Sequence, residues 1–260
     1  MILDSLGDRM KMYERVNPEY LIHRMPIILR VDGKAFHTYT RGCVRPWDVA
    51  LMDAMDQAAI AICEEADGAQ VAYVQSDEIS VFLHSYKRYH SRPWFDGKKS
   101  KIETVAASAA AAWVTGASTS IFGKVKHALF DGRAHNYPES DVCNYFIWRQ
   151  QDATRNAIQM AARDRFSERA MYRKNTDQLQ EMLFQQYQVN FNDYPTHMKR
   201  GRFIVREKYE VDGAMRSRWV VDKEGPVLTK DRNYIEQYLP VEPEPIAAEP
   251  SPMSPIGEPA

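Results

Sequence analysis

Two short stretches place carboxylates where apolar strands would end. From Ile27 to Gly33 the chain reads Ile-Ile-Leu-Arg-Val-Asp-Gly, an apolar run closing on Asp32-Gly33, where glycine permits a sharp exit and close backbone approach. From Val71 to Leu83, two runs rich in β-branched and aromatic residues flank Gln75-Ser76-Asp77-Glu78, the pattern of two antiparallel strands meeting at a tight turn. Successive strand residues face opposite ways, so Asp77 and Glu78 need not act together. If the two stretches are neighbours in a sheet, Asp32 and Asp77 converge at one sheet edge. Two carboxylates held close repel unless they share a proton or bind a cation. A hard divalent ion such as Mg²⁺ prefers one or two carboxylates, a carbonyl and phosphate oxygens. From spacing alone, a turn-forming Asp beside an ordinary Asp-Gly turn is the favoured account, so the chemistry needs a further signal.

The elements that must position these residues follow from hydrophobic period. Leu3, Leu6, Met10 and Tyr13 have helical spacing, and predict a first helix. Arg45-Pro46-Trp47-Asp48 opens a second, whose apolar stripe is Leu51, Met55, Ala58, Ile62 and Ala66 and whose stop is Asp67-Gly68. After the 71–83 hairpin comes a basic loop, Lys87 to Lys101, then an alanine-rich helix to about Gly116. Lysines there are read first as solvated surface, and second as a phosphate contact at a helix N-terminus. Phe130-Asp131-Gly132-Arg133 leads a further strand to Tyr137-Pro138. Strand, helix, strand, strand, helix, strand is the order of a ferredoxin-like sheet, with both helices on one face and the other face open to a ligand. Polymerase palms and nucleotidyl cyclases share that order, an analogy of fold only.

Downstream, Ser140 or Asp141 caps a helix to about Arg165, and Thr176 caps another. Arg149, Asp152 and Asn156 share one stripe of the first, as a wet-surface ion pair or as the wall of a polar pocket. Phe203 to Val211 and Met215 to Val221 alternate around Asp212-Gly213, a strong hairpin signal.

Hydrophobic content of 44% across 260 residues is ample for a sizeable core. No apolar run approaches a membrane span and no secretory segment is read at the N-terminus, so no membrane is expected. Cys43, Cys63 and Cys143 are odd in number and lack metal-ligand spacing, which suits a reduced, cytoplasmic setting. The net charge of −1 averages two unlike parts. From Pro240 onward lie seven of the 14 prolines and four glutamates without a basic residue, so this tail is expected to be disordered. Without those glutamates the body is only mildly basic, and RNA binding would have to rest on local patches.

Set in order, Arg30-Val31-Asp32-Gly33 with Phe36-His37, Arg45-Pro46-Trp47-Asp48, Tyr73-Val74-Gln75-Ser76-Asp77-Glu78, Phe130-Asp131-Gly132-Arg133, Trp148-Arg149-Gln150 with Asp152, and Lys174-Asn175 resemble the tRNA-His guanylyltransferase family. The resemblance runs from about Met1 to Val221. It implies an α+β fold with a ferredoxin-like polymerase-palm sheet (βαββαβ), extended by C-terminal helices and a β-hairpin. Residues 1–138 would form the palm-like core, 139–239 a helical region and hairpin completing the same catalytic unit, and 240–260 the tail. The implied catalytic residues are Asp32, Asp77 and Glu78, with two Mg²⁺ ions held by Asp32, the Gly33 carbonyl and Asp77. Arg30, Gly33, Lys34, Phe36, His37, Arg45, Asp48, Ser76, Lys98 and Lys101 would form the nucleotide-binding surface, and Arg149, Asp152, Asn156 and Lys174 would contact tRNA. Where the family usually has lysine and asparagine, this chain has Arg45 and Trp47.

One departure bears on the substrate. Eukaryotic members carry His-Ile-Asn-Asn where this chain has Thr154-Arg155-Asn156-Ala157, so it looks like the bacterial and archaeal guanylyltransferase-like branch. That resemblance implies a Mg²⁺-dependent 3′–5′ polymerase that repairs truncated tRNA 5′ ends on a template. ATP would activate a 5′-monophosphate, and the 3′-hydroxyl of a second nucleoside triphosphate, GTP among them, would then attack it. A homotetramer is implied as well. The rival readings are untemplated addition of G to tRNA-His, a non-catalytic RNA-binding palm, and a nucleotidyl cyclase.

Overall fold

The computed structural model describes residues 19–85 and 91–239. The expected first helix at Leu3 to Tyr13, Lys87 of the basic loop and the proline-rich tail lie outside the described residues. Six strands form a single antiparallel sheet: β1 (Ile27–Gly33), β2 (Ala69–Gln75), β3 (Glu78–Leu83), β4 (Phe130–Asn136), β5 (Arg202–Val211) and β6 (Ala214–Asp222), in the order β4-β1-β3-β2-β5-β6. The first four give the expected ferredoxin-like arrangement. The β5–β6 hairpin turns on Asp212 and Gly213, both at positive φ, and lengthens the sheet beyond β2. The helices are α1 (Phe36–Tyr39), α2 (Val49–Glu65), α3 (Lys99–Phe122), α4 (Glu139–Arg165), α5 (Glu168–Met171), α6 (Thr176–Tyr187), α7 (Thr196–Arg200) and α8 (Asn233–Glu236).

Alternation along the strands sorts their side chains into two cores. Leu29, Val31, Val74, Ile79 and Val81 meet Met55 and Ile62 of α2 and Ile102 and Ala106 of α3. On the opposite face Ile28, Tyr73 and Phe82 meet Val142 and Phe146 of α4. The second face is therefore covered by α4 along most of its length, which corrects the expectation of an open one. A third cluster joins the far half of α4 to α6 through Ala157, Ala161, Leu179 and Leu183, with Trp47 packed against it.

Three helix boundaries differ from the sequence reading. α3 runs through exposed Gly116 and ends where Gly123 adopts φ 69°, because a helix interior tolerates a glycine but a left-handed residue stops it. α4 begins directly after Pro138, ahead of Ser140 and Asp141. Asn175 caps α6, its side chain and that of Gln178 exchanging hydrogen bonds with the backbone in a capping box, which leaves Thr176 as the first helical residue.

Candidate active site

At the end of β1 four side chains stand in a row across the sheet. Asp131, Asp32, Glu78 and Gln75 are successive register partners on β4, β1, β3 and β2, so all four occupy the face that α4 covers. Three adjacent acids would repel, and two are neutralised. Arg149 of α4 donates from Nε to Glu78 Oε1 at 2.7 Å and from Nη2 to Oε2 at 2.6 Å, both side chains being 7% exposed. Ser80 donates to Glu78 Oε1 as well, and its hydroxyl meets that of Tyr145 at 2.9 Å. On the other flank Arg133 donates to Asp131 Oδ2 from Nε at 3.1 Å and Nη2 at 2.7 Å. Asp32, in the middle, is left without an ion pair among the described residues.

Asp77 comes to Asp32 through the turn. Ser76 takes φ 48° so that β2 and β3 can reverse in two residues, and the Gly33 N–H donates to the Asp77 carbonyl at 3.0 Å. Glycine at 33 lets the Phe36 ring pack against the strand end, since a Cβ there would stand 2.3 Å from that ring and force it to shift. Burial pushes the Asp77 carboxyl up to about 6, with the charges of Asp32 and Glu78 adding to the rise and hydrogen bonds from Ser76 and its own backbone opposing it. Asp32 is also raised, by burial first and by Asp131 next, while Arg30, Arg133 and Arg149 pull it back. Two desolvated carboxylates, with the Gly33 carbonyl at the end of β1 beside them, are the donor set that a hard divalent cation satisfies together with phosphate oxygens and water. Among the described residues no group of three or more His, Cys, Asp or Glu is arranged to hold a metal without such help. The donors thus suit Mg²⁺ and not a closed, all-protein site.

The row opens onto a cavity of about 740 Å³ between β1, the 36–48 loop, α4 and α7. Of the residues expected at the site, Asp32, Phe36, His37, Arg45, Asp48, Ser76, Asp77, Glu78, Arg149, Asp152 and Asn156 line it. Arg30, Gly33, Lys34, Lys98, Lys101 and Lys174 do not. Lys34 and Lys174 are exposed outside it, and Lys98 and Lys101 stand at the start of α3, Lys101 lying 5.5 Å from the Phe95 ring.

Several of the residues expected to meet ligand also make structural contacts of their own. Asp48 accepts from Val44 N at 2.9 Å and Leu51 N at 3.2 Å, closing its own loop and capping α2. Phe36 is a core ring stacked 4.8 Å from Tyr39 and tilted against Phe130 at 5.1 Å. Trp47, in the place of the family asparagine, sets its ring 4.7 Å from Tyr194 and anchors the loop to the helical cluster. Arg149 is closed on Glu78 and Asp152 through Nε and Nη2, so it positions the acid row while lining the cavity. Asp152 in turn accepts from Arg149, Arg155 and Asn156. The stripe on α4 is thus both an ion pair and a pocket wall.

Sequence reading missed the far wall, formed by Met160, Arg163, Glu168, His197, Met198 and Arg202. Arg202 donates from Nε to Asp56 at 2.5 Å, each side chain 3% exposed, and burial raises the Asp56 carboxyl against the pull of Arg202. His197 has Nδ1 buried with no hydrogen-bond partner among the described residues, and burial, helped by Lys223 and Arg202, holds the ring below its ordinary range. The one local signal was Gly201, at φ 79° just before β5, where a Cβ would strike Tyr73.

The profile described as "Thg1: tRNAHis guanylyltransferase" matches residues 7–138, just over half of the chain. The chain belongs to the tRNA-His guanylyltransferase family. Among solved structures, a bacterial tRNA(His) guanylyltransferase (Thg1)-like protein in complex with ATP superposes with a TM-score of 0.84 at 41% identity, covering 92% of this chain and all of the other. The corresponding complex with GTP gives a TM-score of 0.79, also at 41% identity, over 90% of this chain and 99% of the other. The "tRNA(His) guanylyltransferase" of Schizosaccharomyces pombe is 29% identical over 225 residues, 78% of this chain and 81% of its own. A guanylyltransferase-family palm of this kind is a nucleotidyltransferase, and the fold class read from the sequence stands.

Proposed function

We propose that this guanylyltransferase-family protein adds nucleotides to the 5′ ends of tRNA in the 3′–5′ direction, using ATP and other nucleoside triphosphates with Mg²⁺. The observation that carries the proposal is the placing of Asp32 and Asp77 together in the lining of a nucleotide-sized cavity, both carboxylates raised chiefly by burial, Asp32 further by Asp131 and Asp77 further by Asp32 and Glu78. The ATP and GTP complexes of relatives 41% identical over nine-tenths of the chain support the nucleotide as ligand.

Asp32, the Gly33 carbonyl and Asp77 would hold the cations, whose chemistry is to lower the pKa of a nucleotide hydroxyl and to neutralise phosphate charge. His37 and Arg45, exposed on the cavity wall, would bind and orient phosphates there; an arginine grips two phosphate oxygens at once in a planar fork. Arg149 keeps Glu78 ion-paired, while Asp32 and Asp77 have no ion pair among the described residues. In the first step a 5′-monophosphate oxygen attacks the α-phosphorus of ATP and pyrophosphate leaves. In the second, the 3′-hydroxyl oxygen of the incoming nucleotide attacks the activated 5′-phosphorus, its proton passes to solvent and AMP leaves. A 5′-triphosphate end skips the first step and releases pyrophosphate. Absence of the family histidine at Thr154 to Ala157 favours templated repair over dedicated addition of G. The reading includes a homotetramer working in the cytoplasm.

The test incubates 5′-monophosphorylated tRNA lacking its first nucleotide with ATP, Mg²⁺ and all four nucleotides, and sequences the new 5′ end. Restoration of the base complementary to the opposing strand is expected for each templating base. Addition of G alone, whatever the template, would move the assignment to guanylyltransferase proper; a cyclic product formed without RNA would overturn it.

A further inference from the structure

Two stretches of the chain are free of acids and carry cations. Between Asp32 and Asp48 stand Lys34, His37, Arg41 and Arg45, and between Glu103 and Asp131 stand Lys124, Lys126 and His127. The fold lays the two together. Lys126 donates to the carbonyls of Thr38, at 3.4 Å, and Tyr39, and its ammonium lies 4.9 Å from the Tyr39 ring and 4.4 Å from that of Phe122. The strap after α3 is tied down as well, the Lys126 N–H donating to Ser118 at 3.0 Å and the Ala128 N–H to Thr115 at 2.9 Å. A groove of about 530 Å³ results, with Arg41 on one side and Phe122, Lys124, Val125 and Lys126 on the other. No carboxylate stands in its lining among the described residues. Lys126 is spent on the 38–39 backbone, whereas Arg41 and Lys124 are exposed and have no ion pair among the described residues. Cations just past a helix C-terminus complement its dipole, which accounts for Lys124 and Lys126 after α3. It does not account for Arg41, which comes from the other stretch and lines the groove and the cavity alike. Neither Arg41 nor Lys124 falls within the stretches that carry the family resemblance.

We propose that this groove carries the sugar-phosphate backbone of the RNA whose end lies in the cavity, Arg41 and Lys124 each gripping one backbone phosphate and Arg41 marking the way out. A polyanion that leaves an active site is held by cations in series, and two unpaired cations on acid-free walls supply them. A lone nucleotide has no use for the extension, since its phosphates belong beside Asp32 and Asp77, and Lys124 lies outside the cavity. The choice of RNA as the polyanion rests on the 5′-end reaction proposed above; the cationic groove does not.

Binding is read without catalysis, in EDTA, with the full chain and two probes: an RNA stem-loop ending in a 5′-hydroxyl, which has backbone phosphates and no terminal one, and free ATP. Arg41→Gln and Lys124→Gln should each weaken the stem-loop about fivefold, whatever its sequence. Lys124→Gln should leave ATP bound as before. In a plot of log affinity against log salt, the double variant should lose about 1.4–1.8 from the slope, the share of two phosphate contacts, and Lys124→Arg should keep the wild-type slope. A merely structural role would weaken binding without changing the slope. If Lys124→Gln weakens ATP as much as RNA, the cation serves the nucleotide and the RNA path is overturned. A double variant with the wild-type slope overturns the groove. A double variant that changes molar mass in light scattering, with RNA affinity unmoved, gives the groove to a second copy of the chain and overturns it as well. Loss of slope in the variants of a protein that never extends RNA would sink the proposed reaction and leave the groove standing.

Discussion

Replacing Asp77 by asparagine should stabilise the metal-free protein at neutral pH. The carboxyl titrates at about 6 in the fold against an ordinary 3.8, chiefly because it is buried. Between those values the native state holds the proton more tightly than the unfolded chain does, so stability falls as pH rises from about 4 to about 6, and then levels. At roughly 1.4 kcal/mol per unit, the ionised carboxylate costs up to about 3 kcal/mol above pH 6. Asp32, raised by the same burial, adds to the loss in the same direction. Asparagine keeps the shape, removes the charge and weakens the hydrogen bond from Ser76, leaving a net gain of about 1–2 kcal/mol, or about 2–8 °C in melting temperature for a chain of this size. The assay is thermal unfolding of both proteins in EDTA and in Mg²⁺, at pH 4 and pH 7.5. At pH 7.5 in EDTA the variant should melt higher; at pH 4 the two should converge. Mg²⁺ should raise the wild type and leave Asp77→Asn nearly unmoved. A variant that melts lower than the wild type at pH 7.5 in EDTA, or that gains as much from Mg²⁺, would refute the reasoning.

Arg149→Met should destabilise the fold by about 3–5 kcal/mol, because it strands the buried Glu78 carboxylate, and adding Glu78→Gln should recover much of that in urea unfolding. Asp56→Ala should cost a similar amount by leaving Arg202 charged and alone, whereas the double change Asp56→Leu with Arg202→Met should lie within about 1–2 kcal/mol of wild type. Gly132→Ala should cost about 2 kcal/mol or more, since the obstacle is the Glu103 backbone, which cannot turn aside as a side chain could; the melting temperature reads the loss.

The sheet was legible because alternation and turn chemistry are local: the Ser76-Asp77 turn and the Asp212-Gly213 hairpin stand where composition put them. Convergence of Asp32 and Asp77 needed one non-local fact, that β1 lies beside β3, and the ferredoxin-like order supplies it. The face chosen by α4 was not legible. Its apolar stripe says that it packs, and not that Val142 and Phe146 would meet Ile28 and Phe82. For the same reason the pairing of Arg149 with Glu78 was hidden, since only the covered face brings Glu78 within reach of it. Arg202 and Asp56 are 146 residues apart, and no local pattern links them. Family resemblance named the aspartates but could not show that Asp48, Phe36 and Trp47 are held by their own loop and core.

The central claim is that Asp32 and Asp77 together hold a divalent cation beside a nucleotide. Crystals of the protein grown with Mn²⁺ and a non-hydrolysable nucleoside triphosphate, measured for anomalous scattering, test it most directly. The account expects density about 2.1–2.3 Å from the carboxylates of Asp32 and Asp77 and from the Gly33 carbonyl, with nucleotide phosphates completing the shell. Density coordinated by Glu78 with Arg149 displaced, or a bound nucleotide with no metal at either aspartate, would contradict it.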